Sequence, residues 1–229
     1  LEQNAVHETY LALFALQHRG QVSCGIAVRN GKTVDCITDM GTVPNVFTAE
    51  RLAALTENGK GDVALGHVRY STHGEEDEIN NQPMVMSYAR GSISVANNGC
   101  LVNTAKLREK LQNEGAVFQT NSNAELIVHC IARHRLETEN IETAIAETMN
   151  EIEGAYSLVI MSPKKLVAVR DPKGFRPLCM GKLGEAYVVA SESCALQSIG
   201  AQFIRDIEPG EIVVITKDAV YSNKTHCGQ

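Results

Sequence analysis

The chain has 229 residues, of which 44% are hydrophobic and 21% charged, and its formal net charge is −6. This length and composition predict one globular domain with its own hydrophobic core, and they exclude a disordered chain, a collagen and a coiled coil. The acidic balance argues against binding to a nucleic-acid backbone, and no apolar run approaches the roughly 20 residues that span a bilayer. We therefore expect neither a nucleic acid nor a membrane as a partner.

Seven cysteines are spread irregularly along the chain, at positions 24, 36, 100, 130, 179, 194 and 227. Because the number is odd and no Cys-x-x-Cys occurs, we expect reduced thiols in a cytoplasmic protein rather than a disulfide framework. Cys24, Cys36, Cys130 and Cys194 are predicted to be mostly buried, and Cys100 to be the most accessible thiol beside them.

The first part of the chain is predicted to form one helix and then strands. A helix rich in Leu and Ala runs from about His7 to Leu16, and Gly20 suits its C-terminal cap. Asn30-Gly31 is a strong hairpin signal. The elements predicted around and after it are strand Ser23 to Arg29, strand Thr33 to Asp39, helix Ala49 to Leu55, strand Val63 to Tyr70 and strand Ile93 to Ala96.

A block of helices follows, and the remainder is mostly β. The predicted helices are Asn103 to Asn113, Asn123 to Arg135 and Ile141 to Ile152, the last with a clear 3.6-residue apolar stripe. The predicted strands are Ala155 to Met161, Leu166 to Arg170, Ala186 to Ser191 and Glu211 to Thr216. Many antiparallel strands around central helices indicate an α+β domain in which helices cover sheets.

Asn97-Asn98-Gly99-Cys100 directly follows a predicted strand. A Gly there lets the backbone take unusual angles and lets a ligand come close. An Asn amide beside a backbone N–H can bind a developing oxyanion. The alternative is an ordinary turn, and the residues alone leave both open.

Gly66 to Gly74 places Arg69 at the end of a strand, before hydroxyl residues and a Gly. Such an Arg can hold a carboxylate through two hydrogen bonds, and the alternative is a surface Arg. His67 and His73 lack partners at metal-ligand spacing, so no metal site is predicted.

Thr120 to Glu125 contains Ser-x-x-Glu, a capping box that puts Asn123 in the first turn of its helix. The free N–H groups of that turn offer a polar docking point, and the alternative is capping alone.

Taken together, these strings resemble the class II glutamine amidotransferase (N-terminal-nucleophile) domain of the amidophosphoribosyltransferase family. The other strings that carry the resemblance are Gln17 to Gln21, Asp171 to Leu178, Ser191 to Ala195 and Glu208 to Glu211. The resemblance covers nearly the whole chain, residues 1–229, and the related glucosamine-6-phosphate and asparagine synthetases fit less closely. It implies a four-layer αββα sandwich.

The resemblance also implies the residues of a glutaminase site. Asn98 and Gly99 match the oxyanion hole, Arg69 with Thr72 matches the site for the glutamine α-carboxylate, and Asn123 falls where the family has an Asp for the α-ammonium. The nucleophile is an N-terminal Cys whose own amine is the base. The chain does not include that Cys, so we expect that it lacks its extreme N-terminus.

The implied product, ammonia, passes to a phosphoribosyltransferase domain expected after residue 229, for phosphoribosylamine synthesis in purine biosynthesis. The implied partners are glutamine, that domain and further copies of the chain in a homo-oligomer. No cofactor is expected in residues 1–229, whereas Mg²⁺ and an iron–sulfur cluster are considered for the remainder of the protein.

Four residues depart from the family pattern: Asn97 replaces His, Cys100 replaces Asn, Val22 replaces Glu and Asn123 replaces Asp. These departures leave two hypotheses. One is a working glutaminase, and the other is a catalytically silent amidotransferase-like domain that binds or regulates.

Overall fold

The computed structural model describes residues 4–31, 33–56, 61–70 and 78–228. Its helices are α1 (Ala5–Ala15), α2 (Val43–Val46), α3 (Ala49–Thr56), α4 (Thr104–Asn113), α5 (Asn123–Glu137), α6 (Ile141–Met149) and α7 (Ser193–Ser198). Its strands are β1 (Ser23–Asn30), β2 (Thr33–Met40), β3 (Ala64–Arg69), β4 (Met84–Tyr88), β5 (Gly91–Leu101), β6 (Gly154–Met161), β7 (Leu166–Arg170), β8 (Cys179–Leu183), β9 (Ala186–Ala190), β10 (Gln202–Asp206), β11 (Ile212–Ile215) and β12 (Val220–Asn223). Among the described helices, none has the length and apolar character needed to span a membrane.

The strands form one large antiparallel sheet and two small ones. The six-stranded sheet has the order β12-β11-β7-β6-β5-β4, and the three-stranded sheets have the orders β2-β1-β3 and β10-β8-β9. The two small sheets lie side by side, because Val68 of β3 packs in the same apolar cluster as Cys179 of β8. They act as a single layer in the fold.

Five apolar clusters show how the layers stack. Helices α4, α5 and α6 cover one face of the six-stranded sheet, where Ile127, Ile145 and Leu158 share a core. The other face of that sheet meets the small sheets through two clusters. One includes Leu65 and Met161, and the other includes Ala168, Leu178, Met180, Ile207 and Val213. The outer faces of the small sheets are covered by α1 to α3 and by α7. The αββα sandwich implied by the resemblance is therefore confirmed.

Strand β5 is much longer than predicted. The prediction ended it at Ala96, but it continues to Leu101 because β6 pairs with it as far as Gly154 opposite Leu101. Asn97 to Cys100 therefore lies inside a paired strand, and the prediction that this string follows a strand end is wrong. A polar segment such as Asn97 to Cys100 is interpreted as a turn from sequence alone, because the strand that pairs with it is not known.

The thiols follow the prediction with one exception. Cys24 and Cys130 are fully buried, Cys194 is half-buried and Cys100 is exposed. Cys36 is also exposed, so its predicted burial is wrong. It lies on β2, which is an edge strand of its small sheet and has several exposed positions.

Candidate active site

Gly99 is built into β5 by its neighbours. Its φ is +153°, and a Cβ placed on it would lie 2.0 Å from the carbonyl oxygen of Ala155 on β6. That separation is far inside van der Waals contact, so no other residue fits without moving a strand. The sequence singled out Gly99 for the close approach of a ligand, whereas the structure shows that the packing of β5 on β6 requires a glycine there.

Strand alternation directs His67 and Arg69 toward the six-stranded sheet. Gly66 faces α1, because a Cβ on it would lie 2.6 Å from Cγ2 of Thr9. Leu65, one residue earlier, packs in the cluster between the sheets. Side chains alternate along a strand, so His67 and Arg69 lie on the same face as Leu65.

The His67 imidazole contacts the backbone of β5. Its Nε2 lies 3.2 Å from the carbonyl oxygen of Asn97, and since a carbonyl only accepts, Nε2 is the donor. Nδ1 is then an acceptor, and it is buried without a hydrogen-bond partner among the described residues. Burial, together with the positive charge of Arg69, lowers the pKa of His67 to about 4, although its hydrogen bond to Asn97 acts the other way. His67 is therefore neutral at physiological pH.

The side-chain amides of Asn97 and Asn98 on β5 each have a polar atom that forms no hydrogen bond with a described residue. Asn98 Nδ2 and Asn97 Oδ1 are both buried, and neither has a hydrogen-bond partner in the described part of the chain. A buried polar atom without a partner costs about 1–3 kcal/mol. Such atoms collect at functional sites, where a fixed donor can meet charge that develops during a reaction. Asn98 therefore offers an N–H donor beside the close-packed Gly99.

Residues 80 to 82 connect β5 to the start of α5. The Asn97 backbone N–H donates to Oε1 of Gln82 at 2.7 Å, and the Asn121 N–H donates to Oδ1 of Asn80 at 3.2 Å. Gly25 of β1 packs against the same segment, since a Cβ on it would lie 2.4 Å from the Gln82 carbonyl oxygen. This segment ties the start of the α5 helix to the strand of Asn98.

The start of α5 differs in detail from a capping box. Ser122 caps the helix as predicted, accepting from the Ala124 N–H at 3.1 Å. Glu125 does not reach back to Ser122. Its buried carboxylate instead accepts from the N–H groups of Gln119 and Thr120, each at 2.7 Å. Glu125 therefore fixes the loop before the helix, and Asn123 is the first, half-buried residue of α5.

The structure describes Arg69, Asn98, Gly99 and Asn123 of the predicted site but not Thr72. Asn98 and Gly99 are adjacent on β5, Arg69 ends β3 on the face toward that sheet, and Asn123 begins α5. Thr72 lies outside the described residues, so its predicted role with Arg69 at the glutamine α-carboxylate stays a prediction. Sequence reasoning missed His67 as a support of the site, although its position two residues before Arg69 on one strand was the available signal.

The four-layer αββα sandwich is the fold type of the N-terminal-nucleophile hydrolases, and the buried polar atoms without described partners lie on β5, beside the edge strand β4. The family described as "Glutamine amidotransferase domain" matches residues 67–198, a range that includes Arg69, Asn98, Gly99 and Asn123. The chain belongs to this family of class II glutamine amidotransferases.

Similar proteins are named as amidophosphoribosyltransferases. The amidophosphoribosyltransferase of Methanocaldococcus jannaschii is 42% identical over 225 residues, which are 98% of this chain and 47% of that protein. The chloroplastic amidophosphoribosyltransferase 2 of Arabidopsis thaliana is 46% identical over 92% of this chain and 37% of its own. The solved glutamine phosphoribosylpyrophosphate amidotransferase of Bacillus subtilis, complexed with ADP and GMP, superposes with a TM-score of 0.86 at 37% identity, over 96% of this chain and 47% of its own. The chain spans about half the length of these relatives or less.

Proposed function

We propose that the chain is the glutaminase part of an amidophosphoribosyltransferase, which releases ammonia from glutamine for the synthesis of phosphoribosylamine. The observation that carries the proposal is the buried Asn98 Nδ2, a donor without a partner in the described part of the chain. It lies beside Gly99, within the range matched by the amidotransferase family. The names of the full-length relatives support the wider reaction and its place in purine synthesis.

In this proposal the substrate is held by three side chains. The guanidinium of Arg69 pairs with the α-carboxylate of glutamine in a planar, two-bond contact, with Thr72 beside it. The Asn123 amide oxygen accepts from the α-ammonium. These contacts place the side-chain amide of glutamine against β5.

The chemical step requires a thiol nucleophile and an oxyanion hole. A cysteine whose own α-amine acts as base attacks the amide carbon, as the family resemblance implies. The negative charge that develops on the carbonyl oxygen is met by Asn98 Nδ2–H and the Gly99 backbone N–H. Donors that are already in position need no reorganisation when the charge forms. Removal of one such donor lowers kcat by a factor of about 10²–10³. The neutral His67 supports the strand through Asn97 without adding a charge.

The remainder of the reaction belongs to the proposed phosphoribosyltransferase domain. We propose that Mg²⁺ binds in that domain, and an iron–sulfur cluster in the remainder of the protein stays a hypothesis. A homo-oligomer and a cytoplasmic location stay predictions, and three of the relatives are chloroplastic proteins.

A catalytically silent domain is the second candidate, and one observation favours it. Asn123 has an amide where the family has a carboxylate, so the α-ammonium loses a charge-assisted contact worth about 1.5–3 kcal/mol. A silent domain retains glutamine binding through Arg69 but has no turnover.

An ammonia-release assay separates the two candidates. The protein to assay is a longer form that begins with the processed Cys-Gly start of the family. We expect turnover in this form, a loss of about 10²–10³ in kcat in Asn98→Ala, and little change in KM. Asn113→Ala, at the end of α4, is the matched control and should retain full activity. Glutamine binding without ammonia release in the Cys-bearing form would establish the silent domain instead.

A further inference from the structure

Three metal-ligating side chains meet where the turn after α1 approaches the start of α7. His18 lies in the turn of residues 17–19 after α1, and Glu192 and Cys194 lie at the start of α7. His18 Nε2 is 2.9 Å from Glu192 Oε2, and Cys194 Sγ is 3.6 Å from the same oxygen. All three ligand atoms lie within 4.8 Å of one another. We call these residues the His18 cluster.

We propose that the His18 cluster binds a divalent transition-metal ion of the zinc type. An imidazole, a thiolate and a carboxylate are the donor types that zinc prefers. Bond lengths of about 2.0–2.3 Å around a tetrahedral ion separate the donor atoms by roughly 3.3–3.6 Å. The Cys194–Glu192 separation already matches this value. The His18–Glu192 separation must open by about half an ångström. The remaining pair, His18 and Cys194, lies within 4.8 Å and must close by no more than about 1.5 Å.

Arg19 contacts the His18 cluster through Glu192. Its guanidinium Nη1 pairs with Oε1 of Glu192, which leaves Oε2 directed at His18 and Cys194. An outer partner of this kind fixes the orientation of a ligating carboxylate. The Cys194 thiolate and the carboxylates of Glu192 and the nearby Asp206 carry three negative charges, which balance a divalent ion and the Arg19 guanidinium. The Cys194 thiol gives its proton to solvent when the ion binds.

An open cleft gives an ion access to the cluster. The cleft has a volume of about 420 Å³, and its wall includes Glu192, Cys194, Cys179, Ser191 and Asp206. A site with three protein ligands and one side open to solvent completes its coordination with water or a small molecule. The Asp206 carboxylate in the same wall adds a negative charge that favours a cation.

The cluster adjoins the end of β3, since a Cβ on Gly20 would lie 2.4 Å from the carbonyl carbon of Arg69, so the proposal is tested by ion binding and not by glutaminase activity. Its alternative is a hydrogen-bonded network that joins α1 to α7 without an ion. The two differ in the role of Cys194, whose thiol contacts Glu192 only weakly at 3.6 Å. A network keeps its main contacts without this thiol, whereas a zinc-type site loses a ligand.

The test is titration of the 229-residue chain, first stripped with a chelator, with Zn²⁺ and with Co²⁺. Zn²⁺ affinity is measured by competition with a chromophoric chelator, and Co²⁺ reports a bound thiolate through its near-ultraviolet charge-transfer band. The variants are His18→Gln and Cys194→Ser, and the matched controls are His7→Gln on α1 and Cys36→Ser on β2, both at exposed positions. Circular dichroism checks that each variant is folded.

We expect one equivalent of ion and a thiolate band in the wild type. Each cluster variant should weaken Zn²⁺ binding by at least about tenfold, since loss of an outer partner alone costs 10–100-fold. Cys194→Ser should abolish the band, and the controls should change neither. Cys194→Ser leaves the His18, Arg19 and Glu192 contacts in place, so it tests the site even if His18→Gln fails to fold. A band that persists in Cys194→Ser, or a wild-type dissociation constant above about 1 mM, overturns the proposal.

Discussion

The Nε2 atom of His67 lies 3.2 Å from the carbonyl oxygen of Asn97, so a side chain of β3 holds the strand that carries Asn98 and Gly99. The contact crosses from a small sheet to the six-stranded sheet, between the two layers of the sandwich. It requires a proton on Nε2, which the neutral imidazole carries when Nδ1 is the unprotonated nitrogen. The alignment of the candidate oxyanion donors therefore depends on the Nε2–H donor of His67.

The burial of His67 predicts a pH dependence of stability. Its pKa is lowered from 6.5 to about 4 in the folded chain. Between these values the unfolded chain binds more protons, so the free energy of unfolding falls as the pH drops through this window. We expect a loss of about 2–3 kcal/mol, at 1.36 kcal/mol per pKa unit. Urea unfolding between pH 7 and pH 4 measures it.

His67→Gln should remove this pH dependence while leaving that of the other groups. His7→Gln is the control, because it changes an exposed histidine of α1 outside the β3–β5 contact. A wild-type curve that stays parallel to the His67→Gln curve across the window would contradict the assignment.

Gly99→Ala should disrupt the pairing of β5 with β6. The added Cβ would lie 2.0 Å from the Ala155 carbonyl oxygen, and the φ of +153° is itself unfavourable for alanine. We expect at least about 3 kcal/mol of destabilisation, measured by thermal unfolding. Gly200→Ala is the matched control, since Gly200 has a φ of +72° but nothing within 4 Å of its Cβ position. It should cost only about 1–2 kcal/mol, and equal losses at both positions would refute the role of the close packing.

Glu211 is a buried carboxylate with a stabilising role. Burial raises its pKa, but hydrogen bonds from Arg205, Ser222 and the Glu208 N–H outweigh this and lower it to about 2. A carboxylate with a depressed pKa stabilises the fold above the unfolded pKa of 4.5, and this stabilisation is lost as the pH falls toward 2. Glu211→Gln should therefore cost about 2–3 kcal/mol at pH 7.

The same substitution should also reduce the loss of stability between pH 4.5 and pH 2. Glu208→Gln is the control, because Glu208 and its partner Lys224 are half exposed and such pairs contribute at most about 1 kcal/mol. If both variants lose the same stability at pH 7, the burial of Glu211 is not what matters.

The sequence predicted the features that depend on neighbours in the chain. The apolar stripe of Ile141 to Ile152 predicted α6, and the Asn30-Gly31 turn predicted the β1–β2 hairpin. The interior of β5 could not be predicted, because Asn97 to Cys100 is polar and becomes a strand only by pairing with β6. The contact of His18 with Glu192 joins residues 174 apart, so no local spacing reveals it.

Asn123 should be the residue at which glutamine affinity can be improved. It is the first residue of α5, and in the proposed site its amide oxygen accepts from the substrate α-ammonium without carrying a charge. Asn123→Asp in the Cys-bearing longer protein restores a charge-assisted contact, and a gain of about 1.4 kcal/mol lowers the glutamine KM about tenfold. The kcat should change little, because the ammonium is remote from the reacting amide. Asn121→Asp is the matched control, since it places the same charge near the helix N-terminus at an exposed position two residues earlier. Both variants should raise the unfolding temperature slightly, through the helix dipole. Only Asn123→Asp should lower KM, and an unchanged KM in an active protein would remove Asn123 from the substrate site.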